Sequence, residues 1–254
     1  MRQLRVSAAW WCYVRDGMSA QAFIETAAEL GYDGIELAPQ DAWPRIADAG
    51  LTIAAFSGHA SLTDGLNRAE NHDRIEREIN DNLALAQEWG VPTLLCFSGN
   101  RDGLADEAGA EATAAGLRRV AQAAEDAGVT LALELLNSKI DHPGYQCDAT
   151  TWGLQVCRMV DSPRIKLLYD IYHMQIMEGD IIRTIAAHHD DFAHYHIAGN
   201  PGRHEPDESQ ELNYPAIYRA LQATGYTGYL GMEFIAKGEP AASLSAAIAA
   251  VPTN

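Results

Sequence analysis

The chain has 254 residues and a formal net charge of −17, and 47% of its residues are hydrophobic. This length and composition fit a globular protein with one large core. The negative charge excludes nucleic acid as an expected partner, since a polyanion is bound through Lys and Arg. The N-terminus lacks the apolar region of a signal peptide, and no apolar run reaches membrane-spanning length. We therefore expect a cytoplasmic protein without a membrane partner.

Short apolar runs recur along the chain and predict eight strands. The strands cover residues 4–9, 34–38, 51–57, 93–97, 130–136, 165–169, 192–197 and 228–234. Stretches with apolar residues three or four positions apart follow several of these strands, which is typical of βα units. They predict helices at 19–30, 73–89, 111–127, 181–189 and 214–223, and an Ala-rich closing helix within 237–254.

Strict alternation of strands and helices favours a closed parallel sheet. Several predicted helices end at Gly31, Gly90, Gly128 and Gly225, and glycine supplies the left-handed cap that ends a helix. An open doubly wound sheet is the alternative, but the chain contains no GxGxxG or GxxxxGK[ST] motif. No linker divides the chain. We predict an α/β fold, a (β/α)8 TIM barrel, as a single domain over residues 1–254, with active-site loops at 98–110 and 199–211.

Four ionisable residues interrupt the apolar runs of the last four predicted strands: Glu134, Asp170, His196 and Glu233. A carboxylate at the end of a buried strand is costly to desolvate and needs a cation, a paired residue or water. A salt bridge would explain any one of these residues, but four consecutive strands repeat the pattern. Three carboxylates and one imidazole form a ligand set that suits one divalent ion, Mn2+ or Mg2+, with Co2+ as a third candidate.

The sequence around these residues resembles the xylose isomerase-like barrel superfamily, which includes sugar phosphate isomerases and epimerases and the AP endonuclease 2 family. The similarity lies in the motifs ELLN, DIYHMQ, HIAGNPGRHEP and GMEF, and it is strongest to the hydroxypyruvate isomerase branch. Hydroxypyruvate isomerases usually carry glutamine at the position of His196, whereas ketose 3-epimerases carry histidine. The resemblance therefore implies an isomerase or an epimerase of a small sugar or keto acid.

The same resemblance implies roles for individual residues. Glu134, Asp170, His196 and Glu233 match the metal ligands, and Glu134 and Glu233 also match the pair that transfers protons. Three other residues match positions expected to touch substrate: His173, Arg203 and Glu205.

Three more residues have an alternative reading from the sequence. His59 is either a pocket residue or a hydrogen-bonded loop residue, and Glu36 either lines the pocket or forms a salt bridge. Trp11 either lines the bottom of a sugar-binding site or packs in the core. His188, His189 and His194 are interpreted as helix-end or surface residues.

We expect Glu134 and Glu233 to move a proton on a carbon next to a carbonyl, through an enediolate that a bound divalent ion stabilises. Transfer between adjacent carbons isomerises the substrate, and transfer between two faces of one carbon epimerises it. A lyase or dehydratase acting on a 3-keto sugar, an inosose or an oxidised C-glycoside would use the same site. A multi-zinc endonuclease and a non-catalytic binding protein are weaker alternatives. The outer helices of such barrels commonly pair between chains, so a homo-oligomer is a further expectation.

Overall fold

The computed structural model describes residues 3–14 and 18–253. Within these residues the chain forms nine strands: β1 (Arg5–Ala9), β2 (Gly34–Glu36), β3 (Thr52–Ile53), β4 (Ala55–Ser57), β5 (Thr93–Cys96), β6 (Thr130–Glu134), β7 (Ile165–Asp170), β8 (Phe192–Ile197) and β9 (Tyr229–Met232). All eight predicted strands are present, and the third is divided at Ala54 into β3 and β4. Met1, Arg2 and Asn254, which the sequence-based expectations include, lie outside the described residues.

Helices follow most of the strands. The described residues contain ten of them: α1 (Trp10–Tyr13), α2 (Ala20–Leu30), α3 (Trp43–Asp48), α4 (His72–Trp89), α5 (Asp106–Ala127), α6 (Thr150–Val160), α7 (Ile171–Met177), α8 (Ile181–His188), α9 (Tyr214–Ala223) and α10 (Pro240–Ala249). The predicted glycine caps are confirmed, because Gly31, Gly90, Gly128 and Gly225 all have positive φ angles. Only a residue without a Cβ adopts this conformation at little cost, so these positions end their helices sharply.

Two groups of strands are hydrogen-bonded in the orders β3-β2-β1-β9-β8 and β7-β6-β5-β4. The pairs for which a register is defined are parallel. Parallel strands are usually covered on both faces, and the burial of β5, β6 and β9 at every position agrees with this rule.

The residues group into two compact units. The first unit comprises the described residues within 1–55, 180–189 and 194–254, and in it β1 pairs with β2 and β9. Helix α10 packs on α2 in this unit, and the Tyr32 hydroxyl donates to the Leu244 carbonyl at 2.9 Å. The closing helix that the sequence predicts is therefore present, but it is shorter than expected.

The second unit comprises residues 56–179 and 190–193. Here β6 pairs with β5 and β7, and α4, α5 and α6 pack side by side. Among the described residues, no helix is long and apolar enough to cross a membrane.

Candidate active site and metal centre

The four predicted metal ligands are buried at the carboxyl ends of their strands. Glu134 and Asp170 are the last residues of β6 and β7, His196 is the penultimate residue of β8, and Glu233 directly follows β9. At most 5% of the surface of any of them is exposed. A buried carboxylate is stable only if hydrogen bonds, a counter-charge or a cation offset its lost hydration. The contacts of each residue therefore indicate what it can do.

In the second unit, Asp170 also begins a helix. Its Oδ1 atom accepts a hydrogen bond of 2.9 Å from the backbone N–H of His173, which makes Asp170 the N-cap of α7. Its other oxygen, Oδ2, lies 3.7 Å from Nε2 of His173. The cap fixes the orientation of the carboxylate and places His173 beside it.

The side chain of Asn137 determines which ring nitrogen of His173 carries the hydrogen. Oδ1 of Asn137 accepts from the backbone N–H groups of Ile140 and Asp141, at 3.0 and 2.9 Å. Its Nδ2 must therefore face Nδ1 of His173, which lies 2.6 Å away. Because an amide nitrogen only donates, Nδ1 accepts, and the network assigns the ring hydrogen to Nε2. His173 thus directs an N–H group towards Asp170.

We expect Asn137→Asp to reverse this tautomer. A carboxylate in place of the amide accepts rather than donates, so the hydrogen of the neutral His173 ring should move from Nε2 to Nδ1. Nitrogen-15 NMR of the His173 ring measures the change directly. The ring of His188 at the end of α8 serves as the control and should keep its spectrum. An unchanged Nε2–H signal in the variant would show that Asn137 does not set the tautomer.

In the first unit, three side chains surround Glu233. The indole nitrogen of Trp11 donates to Oε1 at 2.9 Å, and the Arg203 guanidinium donates to Oε2 at 2.6 Å. His196 Nδ1 also lies 3.1 Å from Oε2. Burial raises the pKa of Glu233, but the interactions with His196 and Arg203 outweigh it and hold the pKa below its usual range. Glu233 is therefore ionised and fixed in position.

The loop that carries Arg203 is held by the segment after β9. The Ile235 N–H donates to the Arg203 carbonyl at 2.8 Å, and Nδ1 of His204 lies 2.7 Å from the Ile235 carbonyl oxygen. The Arg203 guanidinium lies over the Trp11 ring, 5.2 Å from its centroid. Trp11 thus contacts both Arg203 and Glu233. Its contact with substrate stays a prediction.

Two further predicted substrate residues have contacts within their own units. Glu205 accepts hydrogen bonds from the Lys237 N–H at 3.0 Å and from the Ser243 hydroxyl at 2.9 Å, so it ties its loop to the region of α10. His59 is buried and accepts from the Phe97 N–H at 2.9 Å, and burial is the main cause that lowers the pKa of His59 to about 4. Contacts of Glu205, His59, His173 and Arg203 with substrate stay predictions.

Glu36 and His194 form a buried pair that the sequence did not reveal. Glu36 is 0% exposed, and its Oε2 atom lies 2.7 Å from Nε2 of His194. The expectation that His194 is a helix-end or surface residue is wrong. It lies in β8 two residues before His196, and side chains two positions apart on a strand point to the same face. His188 and His189 do lie at the end of α8, as expected.

Buried acidic and histidine groups of this kind could hold a metal ion. We tested the fit on the chemistry of the donors. Carboxylate oxygens and a neutral imidazole are the ligands that hard and intermediate divalent ions prefer, whereas structural zinc favours thiolates. The predicted donors fit a divalent cation.

Comparison with known proteins identifies the family. The family model of the xylose isomerase-like TIM barrel matches residues 24–251. The chain belongs to this family. A crystal structure of an AP endonuclease of family 2 from Brucella melitensis is 29% identical, with a TM-score of 0.85 over 96% of this chain and 97% of that one. This family membership confirms the predicted TIM barrel fold.

Curated relatives of the chain are named as isomerases. A 2-oxo-tetronate isomerase of Cupriavidus necator is 37% identical over 49% of this chain and 47% of its own length. The hydroxypyruvate isomerase of Escherichia coli K12 is 30% identical over 63% of each chain. The chain thus spans about half to two thirds of these relatives. The similarity supports an enzyme of the isomerase class and confirms the resemblance that the motifs carry.

Proposed function

We propose that this chain is a divalent-metal-dependent enzyme that isomerises or epimerises a small hydroxy-carbonyl compound, in the manner of a hydroxypyruvate isomerase. The observation that carries the proposal is the donor group Glu134, Asp170, His196 and Glu233. Each of the four is buried at the carboxyl end of its own strand and offers an oxygen or a nitrogen as ligand atom. This placement supports one shared ion, because the carboxyl ends of the strands of a TIM barrel carry the active-site residues at one face.

The identity of the ion follows from the donors. Three carboxylates and one imidazole favour Mn2+ or Mg2+, with Co2+ as a third candidate. When bound, a divalent ion polarises the substrate carbonyl and stabilises the negative charge that develops on its oxygen. All remaining steps of the proposed reaction fall to side chains of the chain itself.

Glu134 and Glu233 are the proposed proton-transfer pair. One carboxylate removes the proton from the carbon next to the carbonyl, the electron pair forms a C=C bond, and the carbonyl oxygen takes the charge of an enediolate. Return of a proton to the neighbouring carbon gives the isomer, with one hydroxyl proton moving between the two oxygens. Return to the opposite face of the original carbon gives the epimer. The Trp11 and Arg203 bonds to Glu233 support a fixed orientation for this exchange.

His173 and Arg203 are the proposed substrate-binding groups. His173 offers an Nε2–H donor for a substrate oxygen, because Asn137 occupies its other ring nitrogen. Arg203 offers the two-pronged donor that binds a carboxylate or a pair of hydroxyls. The net charge of −17 favours a small molecule over abasic DNA as substrate, although a structural relative carries the name of an AP endonuclease.

Solvent deuterium exchange tests the proposal. The purified protein is incubated in D2O with hydroxypyruvate, small ketoses and a 3-keto sugar, first with added Mn2+ and then after treatment with a chelator. We expect NMR to show deuterium on a carbon next to a carbonyl, only when metal is present. Release of a leaving group without exchange would overturn the proposal in favour of a lyase. No exchange with any compound, together with no bound metal, would overturn it outright.

A further inference from the structure

The proposed metal ligand His196 lies in a buried cluster whose other members have no role in the reaction described above. We call it the Glu36 cluster, and it consists of Ser7, Glu36, His194 and His196. All four residues are at most 1% exposed. They lie on three strands of the first unit, Ser7 on β1, Glu36 on β2 and both histidines on β8, and Glu36 contacts each of the other three.

The two ring nitrogens of His196 face different carboxylates. Nδ1 lies 3.1 Å from Oε2 of Glu233, and Nε2 lies 3.3 Å from Oε1 of Glu36. An imidazole nitrogen binds a metal only through its lone pair, so a neutral ring that ligates through Nδ1 carries its hydrogen on Nε2. The carboxylate of Glu36 is the group that faces that position. This arrangement of carboxylate, imidazole and metal is the one that orients ligating histidines in metalloproteins.

From this geometry we infer that Glu36 is a positioning residue, which holds His196 as an Nε2–H imidazole with Nδ1 directed at the metal. The inference rests on the proposed function and deepens it, because it assigns Glu36 an action through His196 instead of a contact with substrate.

Glu36 is itself held in place. The Ser7 hydroxyl donates to its Oε2 atom at 3.1 Å, and Nε2 of His194 lies 2.7 Å from the same oxygen. These two contacts fix the position of the Glu36 carboxylate. Its alignment with His196 follows from contacts on both sides of the cluster.

The residues Glu36, His194 and His196 also satisfy the spacing for a metal site of their own. Two observations favour the positioning role. The separation of 2.7 Å between Oε2 of Glu36 and Nε2 of His194 is a direct contact between the two side chains, and the Ser7 hydroxyl donates to the same oxygen. The experiment must therefore distinguish a second ion bound in this cluster from the positioning role of Glu36.

Metal titration of the intact protein tests the inference. Isothermal titration with Mn2+ gives the dissociation constant and the number of ions for the wild type and for Glu36→Gln. We expect one ion per chain in both proteins, and an affinity roughly 10- to 100-fold weaker in the variant, as for other residues that orient a metal ligand. Glu25→Gln makes the same change on the exposed face of α2 and should leave the affinity unchanged.

The outcomes separate this inference from the proposed function. If the wild type binds no ion, the proposed function fails. If it binds one ion and Glu36→Gln binds it equally well, only the positioning role fails. Two ions in the wild type and one in the variant would make Glu36 a ligand and overturn the positioning role.

Ser7→Ala provides a second variant in case Glu36→Gln does not fold, which circular dichroism detects. It removes one hydrogen bond from Glu36 and leaves the carboxylate in place, so we expect a loss of affinity of roughly threefold. Nitrogen-15 NMR of His196 should show hydrogen on Nε2 in the wild type. A hydrogen on Nδ1 would overturn the inference without any substitution.

Discussion

Glu233→Gln and Glu134→Gln are each expected to reduce solvent-proton exchange into the substrate by about 10²–10⁴-fold, the range for loss of a general acid or base. Glutamine keeps the shape of the side chain and one oxygen that can ligate a metal, but it cannot take up a proton. The rate of deuterium incorporation by NMR measures the effect. We expect each single substitution to abolish most of the exchange, because the two carboxylates act on the same proton-transfer cycle.

The metal affinity of the same variants separates proton transfer from metal binding. Exchange is therefore measured with Mn2+ well above the dissociation constant of each variant, so that the ion is bound in every sample. Glu88→Gln on the exposed face of α4 is the control and should exchange at the wild-type rate. If saturating Mn2+ restored exchange in Glu233→Gln, then Glu233 would be a ligand only and the proposed pair would be wrong.

The positions of the proposed ligands could be predicted because each interrupts an apolar strand. Glu134 and Asp170 follow runs of buried residues, and a charge in such a place is visible in the sequence alone. Asn137 stands in the same ELLN motif, but its role could not be predicted. That role depends on which atoms of its amide face Ile140, Asp141 and His173, and only the folded structure shows this.

The helices that sequence reasoning missed have weak start signals. Helix α6 begins after Ala149, which makes no side-chain cap, and α7 follows β7 without an intervening loop. In α7 the apolar residues of the strand continue directly into the helix, so no change of period marks the boundary. Helices α1 and α3 are only 4 and 6 residues long, too short for a helical period to be recognised.

The Glu36 cluster shows why buried polar contacts are harder to predict than strand ends. Glu36 and His194 are far apart in sequence, and nothing local marks them as partners. Their pairing depends on the register of the sheet, in which Gly231 of β9 lies opposite Ser7 on one side and His196 on the other. The space left by this glycine is filled by Glu36, since a Cβ atom at Gly231 would lie 2.0 Å from Oε1 of Glu36.

Gly231→Ala is therefore expected to destabilise the fold by about 2–3 kcal/mol, near the upper end of the usual cost of overpacking a core. The added methyl group would also lie 2.9 Å from Cδ2 of His196, so neither neighbour can keep its position. For a protein of this size the loss corresponds to a fall in melting temperature of roughly 4–12 °C. Thermal unfolding followed by circular dichroism measures it.

Gly238→Ala is the matched control for this substitution. A Cβ atom at Gly238 meets no atom within 4 Å, so the same chemical change should leave the melting temperature nearly unchanged. In Gly231→Ala the carboxylate of Glu36 must also move relative to Nε2 of His196, and the affinity for Mn2+ should fall together with the stability. A variant with wild-type melting temperature and wild-type affinity would mean that the cluster can shift freely, and that neither the glycine nor Glu36 sets the position of His196.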